Sequence, residues 1–160
     1  MYFCSMKLYT LHTKQQLPVS IQTAWEFISN PKNLEIITPK SMQFKTLSGD
    51  EKEMFAGQII HYKITPLFGI SMQWVTEITH VQEQKFFVDE QRFGPYAFWH
   101  HKHFLKAIPG GVEMEDIVHY KLPMGLLGQL AHPFMVKPKL DEIFAYRRKK
   151  LIEIFGEFKS

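Results

Sequence analysis

The C-terminal stretch from Leu140 to Phe158 constrains the fold most strongly, because its pattern predicts one long amphipathic helix. At about 100° per residue, its apolar side chains fall on a single stripe roughly 120° wide. The residues on this stripe are Leu140, Ile143, Phe144, Leu151, Ile154, Phe155 and Phe158. Pro138 suits the first helical turn, and Asp141 and Glu142 complement its positive end. The stripe needs a partner surface, which the upstream chain must supply.

One basic residue, Arg147, falls in the middle of this apolar stripe. Burying an unpaired cation costs several kcal/mol, because the charge loses its hydration. We therefore expect the surface that covers the helix to carry a carboxylate or to line a wet cavity.

Length, charge and cysteine content restrict the class of protein. The chain has 160 residues, 45% of them hydrophobic, which is the size of one domain, 1–160. The formal charge is +3, but acidic residues are interspersed with the basic ones, so no nucleic-acid partner is predicted. Cys4 is the only cysteine, which excludes an internal disulfide and a multi-cysteine zinc site.

The distribution of apolar residues gives no sign of a targeting or membrane segment. The N-terminal stretch lacks the apolar run of a signal peptide, and no stretch approaches the roughly 18 apolar residues of a membrane span. We expect a soluble, cytoplasmic protein without stable membrane insertion.

The opening of the chain predicts one strand followed by two short helices. Strand formers such as Tyr9 and Thr10 place the strand at Met6 to Thr13. Ser20 is a plausible N-cap for a helix whose apolar residues are Ile21, Ala24, Trp25 and Ile28. Asn30-Pro31 ends that helix, and Lys32 to Ile37 forms a further helical turn or two.

Between Met42 and Leu122 the helical period gives way to short runs rich in β-branched and aromatic residues. The predicted strands are Met42 to Leu47, Gln58 to Ile64, Ser71 to His80, Lys85 to Arg92, Ala97 to Ala107, and Val112 to Leu122. Their short, Gly- and Pro-containing links favour an antiparallel meander over parallel units joined by helices.

The segment from Met124 to Val136 has two interpretations. Its apolar residues, which include Leu126, Leu127, Leu130 and Phe134, either begin the long helix or form a separate short helix or lid. In the first case Pro133 and Pro138 would kink the helix. We expect most of this apolar content to lie in the core.

The last hairpin allows side chains to be assigned to faces. A two-residue Pro-Gly turn pairs Ile108 with Gly111, and therefore His103 with Asp116. One face then carries Trp99, His101, His103, Leu105, Met114, Asp116, Val118 and Tyr120. The opposite face has complementary charges and is predicted to be solvated. We expect the first face to meet the helix, with Asp116 as the acceptor for Arg147 and both histidines in the same cluster.

Two chemical alternatives follow from this cluster. His101, His103 and Asp116 supply the ligand set of some mononuclear iron sites, but Arg147 would repel a cation. We therefore predict a hydrogen-bonded polar cluster with no metal and no cofactor. Acid–base catalysis by His103 and Asp116 stays open. No nucleophile motif, phosphate-binding loop or dinucleotide fingerprint accompanies them.

Two strings resemble the START and Bet v 1-like superfamily, also called SRPBCC proteins. The first is LPVSIQTAWEFISNPKNLEIITP, which matches at Val19, Trp25, Asn30, Pro31, Leu34 and Pro39. The second is DEQRFGPYAFWHHKHFLKAIPGGVEMEDIVHYKLPMGLLG, which is similar to a bacterial branch described as cyclase/dehydrase-like. It matches at Asp89, Gln91, Gly94, Pro95, Trp99, His101, His103, Gly111, Met114, Asp116, Tyr120, Pro123, Gly125 and Gly128. The terminal IFAYRRKKL is similar to the same branch at Phe144, Arg147 and Leu151.

This resemblance implies an α+β helix-grip fold. It has a curved antiparallel sheet of six to seven strands, two short helices after strand 1, and a long C-terminal helix packed across the sheet. The resemblance also implies a cavity between sheet and helix that binds or carries a small hydrophobic, lipid-like molecule. The expected ligand-binding residues are Trp74, Trp99, His101, His103, Met114, Asp116, Tyr120, Phe144 and Arg147.

The alternative function is a polyketide cyclase- or dehydratase-like enzyme that uses the same cavity. In that case His103 or Asp116 would act as base, and Arg147 or Tyr120 would stabilise developing negative charge. A third possibility is a structural or interaction role without a small ligand. The sequence carries no prediction of oligomeric state.

Overall fold

A computed structural model describes residues 7–51, 53–66 and 69–159 and shows a curved seven-stranded antiparallel sheet with a long C-terminal helix. The elements follow in the order β1 (Tyr9–Leu17), α1 (Ile21–Ile28), two 3₁₀ turns (Pro31–Glu35 and Lys40–Met42), β2 (Lys45–Ser48), β3 (Gln58–Ile64), β4 (Met72–Gln82), β5 (Phe86–Phe93), β6 (Phe98–Ile108), β7 (Gly111–Lys121), α2 (Gly125–Ala131), a π turn (His132–Val136) and α3 (Lys137–Phe155). Strands β2 to β7 pair consecutively, and β1 pairs with β7. The predicted helix-grip α+β fold is confirmed.

The two short helical segments after β1 begin with side-chain caps. The Ser20 hydroxyl accepts a hydrogen bond from the Thr23 amide, as expected for the N-cap of α1. The second segment is a 3₁₀ turn rather than an α-helix, and the Asn30 side chain caps it by accepting from the Lys32 amide. Trp25 of α1 is buried against Phe87 of β5, so α1 covers part of the sheet.

The predicted bounds of two strands were wrong. The first strand starts at Tyr9 and runs on to Leu17, because β1 pairs with β7 along its whole length and pairing outweighs local propensity there; Met6 lies outside the described residues. The second strand starts at Lys45 instead of Met42, since Met42 is buried at the end of a 3₁₀ turn. The other five strands begin and end within two residues of their predicted bounds.

The hairpin of β6 and β7 has the predicted register. His103 lies opposite Asp116 and Trp99 opposite Tyr120. Gly110 has a φ of +80°, a left-handed conformation that favours glycine and suits the second position of a Pro-Gly turn. The face that carries the two histidines is buried, as predicted.

The segment after β7 forms one helical run with α3 instead of a separate lid. In the π turn, the Lys137 amide donates to the carbonyl of His132, five residues earlier. Pro133 and Pro138, which lack an amide donor, lie at either end of this turn.

Asp141 and Glu142 therefore lie well inside the helical run, so the prediction that they complement its positive end was wrong. They form ion pairs with Lys137 (2.7 Å) and Lys139 (2.8 Å) on the exposed surface.

Most of the predicted apolar stripe of α3 packs inward. Leu140, Phe144 and Leu151 are buried. Ile154 is an exception, with 42% of its surface exposed, because Phe155 takes the inward direction and packs edge-on against Phe27 of α1. The helix ends at Phe155 instead of the predicted Phe158, so the end of the stripe differs from the prediction, although its central part is correct.

Four apolar residues of α2 and of the π turn are not in the core, contrary to the prediction. Leu126, Leu127, Leu130 and Phe134 are exposed by 62 to 82% instead of lying in the core. The physical reason is the small inner face of α2: a Cβ at Gly128 would lie 2.1 Å from the Pro123 carbonyl oxygen, so this face packs inward. No helix among the described residues is long and apolar enough to cross a bilayer.

The contrast between the two leucine environments is testable. Leu140→Ala should lower the free energy of unfolding by about 2–3 kcal/mol, because Leu140 is only 3% exposed. Leu127→Ala should change it by less than about 0.5 kcal/mol, since Leu127 is 65% exposed. Urea denaturation of both variants measures the difference, and equal losses would show that the outer face of α2 is covered in solution.

Candidate functional site

A cavity of about 500 Å³ lies between the concave face of the sheet and the helical run of α2 and α3. Apolar side chains from the 3₁₀ turns, β3, β4 and α3 form most of its wall. Three aromatic residues form one side: Trp99 packs edge-on against Trp74 (ring centroids 5.2 Å apart) and lies 4.7 Å from the Tyr96 ring. A mostly apolar hollow of this size is typical of a small-molecule site.

A polar cluster interrupts this apolar lining. It is built from three neighbouring strands, with Asp89 on β5, His101 and His103 on β6, and Asp116 on β7. The two histidines are two residues apart in one strand, so both project from the same face. Asp89 pairs across strands with His101, and Asp116 with His103, which brings all four side chains to the cavity wall.

Each imidazole of the cluster lies between two carboxylates. Asp116 Oδ1 is 2.9 Å from His101 Nε2 and 2.9 Å from His103 Nδ1. Asp89 Oδ2 is 2.7 Å from His103 Nε2 and 3.5 Å from His101 Nδ1. A carboxylate only accepts hydrogen bonds, so Asp116 fixes protons on both nitrogens that face it.

The Arg147 side chain extends from α3 toward the same cluster. Its Nη1 is 3.9 Å from Asp116 Oδ1, an ion pair slightly longer than a hydrogen bond. The guanidinium lies 4.9 Å from the Phe144 ring centroid. Its Nε is buried and has no hydrogen-bond partner among the residues that the structure describes. The structure thus places Arg147 beside its predicted acceptor, Asp116, and leaves one N–H donor of the guanidinium without an acceptor among the described residues.

The pKa values of the two histidines move in opposite directions. Burial alone would lower the pKa of His103, but hydrogen bonds to Asp116 and Asp89 outweigh it and raise the pKa above its ordinary value of 6.5. Burial lowers the pKa of His101 below 6.5, and the neighbouring His103 lowers it further. His103 therefore keeps its proton to a higher pH than His101 does.

Both carboxyl groups stay ionised. Burial would raise the pKa of Asp116, but hydrogen bonds from His101 and His103 hold it well below 3.8. Burial likewise opposes ionisation of Asp89, and the charge of His101 and the hydrogen bond from His103 lower its pKa. The Arg147 guanidinium and a protonated His103 would balance the two carboxylates, and such pairing allows ionised groups to stay buried.

The structure places most of the residues predicted to bind ligand on the cavity wall. These are Trp74, Trp99, His101, His103, Met114, Asp116, Phe144 and Arg147. Tyr120 is different: it lines a second hollow of about 490 Å³ on the other side of Arg147. Its hydroxyl lies 2.7 Å from His132 Nε2, and burial raises its pKa to about 12. Tyr120 is therefore absent from the lining of the main cavity.

Sequence reasoning missed Asp89 and Tyr96 as site residues. Asp89 occurs in the string that resembles the bacterial branch. Side chains alternate between the two faces of a strand, and at its position in β5 the Asp89 side chain points to the inner face of the sheet. The link between β5 and β6 is a loop instead of a tight turn, so no pairing of Asp89 with His101 could be assigned. Tyr96 lies in that loop, where Gln91 bonds both its amide and its carbonyl.

Comparison with solved structures identifies the fold. Protein CV1439 from Chromobacterium violaceum superposes with a TM-score of 0.68 at 12% identity, covering 93% of this chain and 99% of that one. Protein Ms6760 from Mycobacterium smegmatis gives 0.64 at 16% identity, with 91% and 92% covered. Ara h 8.0201, a Bet v 1 allergen, gives 0.61 at 16% identity, with 92% and 99% covered.

The chain therefore has the helix-grip fold of the Bet v 1-like, or SRPBCC, proteins. No protein-family model matches the sequence, and no curated protein matches it either. Identities of this size establish the fold alone.

The two histidines should titrate separately. In protein kept in EDTA, so that no metal competes with protons, His103 should lose its proton above pH 6.5 and His101 should gain one only below it. Histidine ring NMR signals measure both transitions. His103 therefore stabilises the fold below pH 6.5, and this contribution disappears as the pH rises through its folded-state pKa. A single shared transition near 6.5 would contradict the assignment.

Proposed function

We propose that this domain binds or carries a small hydrophobic molecule whose polar end is anionic and contacts Arg147. The observation that carries the proposal is the buried, unpartnered Nε of Arg147, at the wall of a mostly apolar cavity. A buried donor without an acceptor costs about 1–3 kcal/mol, and a bound anion would remove that cost.

The apolar part of the cavity suits the body of such a ligand. Met72, Met114 and Trp74 contribute flexible or flat apolar surfaces that adapt to different shapes. The Trp74 indole Nε1 is also buried without a hydrogen-bond partner in the described part of the chain, and Trp74 lines the same cavity. The START and Bet v 1-like resemblance of the sequence supports the same proposal.

The geometry of Arg147 favours a carboxylate as the polar end. Asp116 contacts the guanidinium through Nη1 at 3.9 Å, while Nε stays free among the described residues. A guanidinium binds planar oxyanions through two parallel hydrogen bonds, which a hydroxyl group cannot reproduce. Fatty-acid-like molecules combine this group with an apolar body.

Matched ligands test this recognition. Decanoate should bind the wild-type protein more tightly than decanol, as measured by thermal shift and isothermal titration. Arg147→Met should weaken decanoate binding by about 10- to 100-fold, because a charge-assisted hydrogen bond is lost, and should leave decanol binding nearly unchanged. Arg148→Met, at the exposed neighbouring position, is the control.

Native mass spectrometry of protein purified from its host complements these measurements. A co-purified lipid-like acid would support the proposal. No co-purified molecule, together with no response to either probe, would exclude hydrophobic-ligand carriage.

The second candidate function is proton-transfer catalysis of the cyclase or dehydratase type. One observation favours it: His103, with both ring nitrogens bonded to carboxylates, lines the cavity where a substrate would lie. A protonated His103 would act as the acid in such a reaction, whereas Asp116, which already accepts from two imidazoles, would be a poor base.

Turnover distinguishes catalysis from carriage. On a substrate found by screening, His103→Gln should reduce kcat by about 100-fold or more if His103 transfers a proton. His100→Gln, on the opposite face of β6, should have no effect. Full activity of His103→Gln would eliminate this role.

A further inference from the structure

One ring nitrogen of the histidine pair faces Asp89 with a lone pair instead of a proton. Asp116 takes the N–H of His101 Nε2, and a neutral imidazole has only one N–H. His101 Nδ1 therefore presents a lone pair to Asp89 Oδ2 at 3.5 Å. His103 Nε2 points at the same oxygen from 2.7 Å. Two imidazole nitrogens and a carboxylate oxygen thus converge, and a cation at their centre would take the place of the proton that His103 Nε2 shares with Asp89.

We propose that Asp89, His101 and His103 bind a divalent transition-metal ion. Ligand atoms that share one metal at bond lengths of about 2.1 Å are separated by roughly 3.0–3.4 Å. The Asp89 oxygen lies 2.7 and 3.5 Å from the two nitrogens, and all three atoms lie within 4.8 Å of one another. Shifts of a few tenths of an ångström reach coordination geometry. Two imidazoles and one carboxylate suit iron(II), cobalt(II) and zinc(II).

Asp116 gives this site its outer support. Metal-binding histidines commonly donate their second N–H to a carboxylate, which fixes the tautomer and the ring orientation. Asp116 Oδ1 does this for both rings at 2.9 Å. The two imidazoles are therefore held with His101 Nδ1 and His103 Nε2 directed toward Asp89 before any ion binds.

Arg147 opposes the binding of a metal ion less strongly than we expected from the sequence. Among the described residues its ion-pair partner is Asp116, which carries a charge of its own. The sequence indicated Asp116 as the third ligand, whereas the structure groups Asp89 of β5 with the two histidines. A divalent ion in place of the His103 proton leaves the cluster with one net positive charge. The site lines the cavity, so open coordination positions would face a bound anion.

The outer face of the sheet offers a competing site that an experiment must exclude. His100 lies opposite His119 on that face, with the ring centroids 6.4 Å apart. Glu90 Oε1 is 3.8 Å from His100 Nε2. Weak adventitious binding by this exposed group would mimic occupancy of the inner site.

Cobalt(II) titration of untagged protein, stripped with EDTA and transferred to chelator-free buffer, tests the inference. Visible absorption reports inner-sphere coordination, and mass spectrometry of the native protein gives the stoichiometry. We expect one cobalt per chain, with affinity reduced about 10-fold or more by Asp89→Asn and about 10- to 100-fold by Asp116→Asn. The double variant His100→Ala/His119→Ala should bind as the wild type does.

Two results would overturn the inference. One is wild-type protein that develops no cobalt absorption at micromolar cobalt. The other is binding that disappears in the outer double variant but survives Asp89→Asn. Circular dichroism verifies that each variant is folded, and the wild-type and outer-variant results decide the matter even if Asp89→Asn does not fold. The titration contains no hydrophobic ligand, so its outcome is independent of the proposed function.

Discussion

The buried contact between Arg147 and Asp116 is the interaction on which the arrangement of helix and sheet depends. A guanidinium in the apolar stripe of α3 must be neutralised, and the concave sheet supplies the acceptor at β7. Asp116 in turn needs positive partners, which His103 and Arg147 provide. Removing either partner would leave an uncompensated charge in the interior, a change that costs more than most losses of apolar contact.

This requirement also explains why the interior is not fully packed. An apolar helix stripe on an apolar sheet face closes tightly, but a charged cluster at the middle of the contact needs polar neighbours and room around them. Hollows lie on both sides of Arg147, one lined by Trp74 and Trp99, the other by Tyr9 and Tyr120. Stability of the helix–sheet contact and the capacity to hold a ligand thus come from the same residues.

Local patterns predicted the parts of the structure that local geometry determines. The two-residue turn at Pro109 and Gly110 set the register of β6 and β7, so His103 and Asp116 could be paired from the sequence. Asp89 could not be placed, because a loop joins β5 to β6 and leaves their register open. The contact of Tyr120 with His132 could not be predicted either, because His132 lies in the π turn that follows α2.

The outward leucines of α2 were unpredictable for a related reason. The spacing of apolar residues identifies an apolar face. It does not show which face of a helix has side chains small enough to pack closely against neighbouring backbone. Here Gly128 lies against Pro123, so close packing selects the glycine side over the leucine side. Only the tertiary contact reveals this choice.

The π turn between α2 and α3 has a mechanical consequence for the cavity. Pro133 and Pro138 remove two backbone donors from the helical ladder, and the turn itself widens the hydrogen-bonding pattern. Displacement of α2 at this turn consequently breaks fewer main-chain hydrogen bonds than displacement at a regular helical turn would. A molecule entering or leaving by that side would leave the strands intact, so exchange with the interior need not involve any unfolding of the sheet.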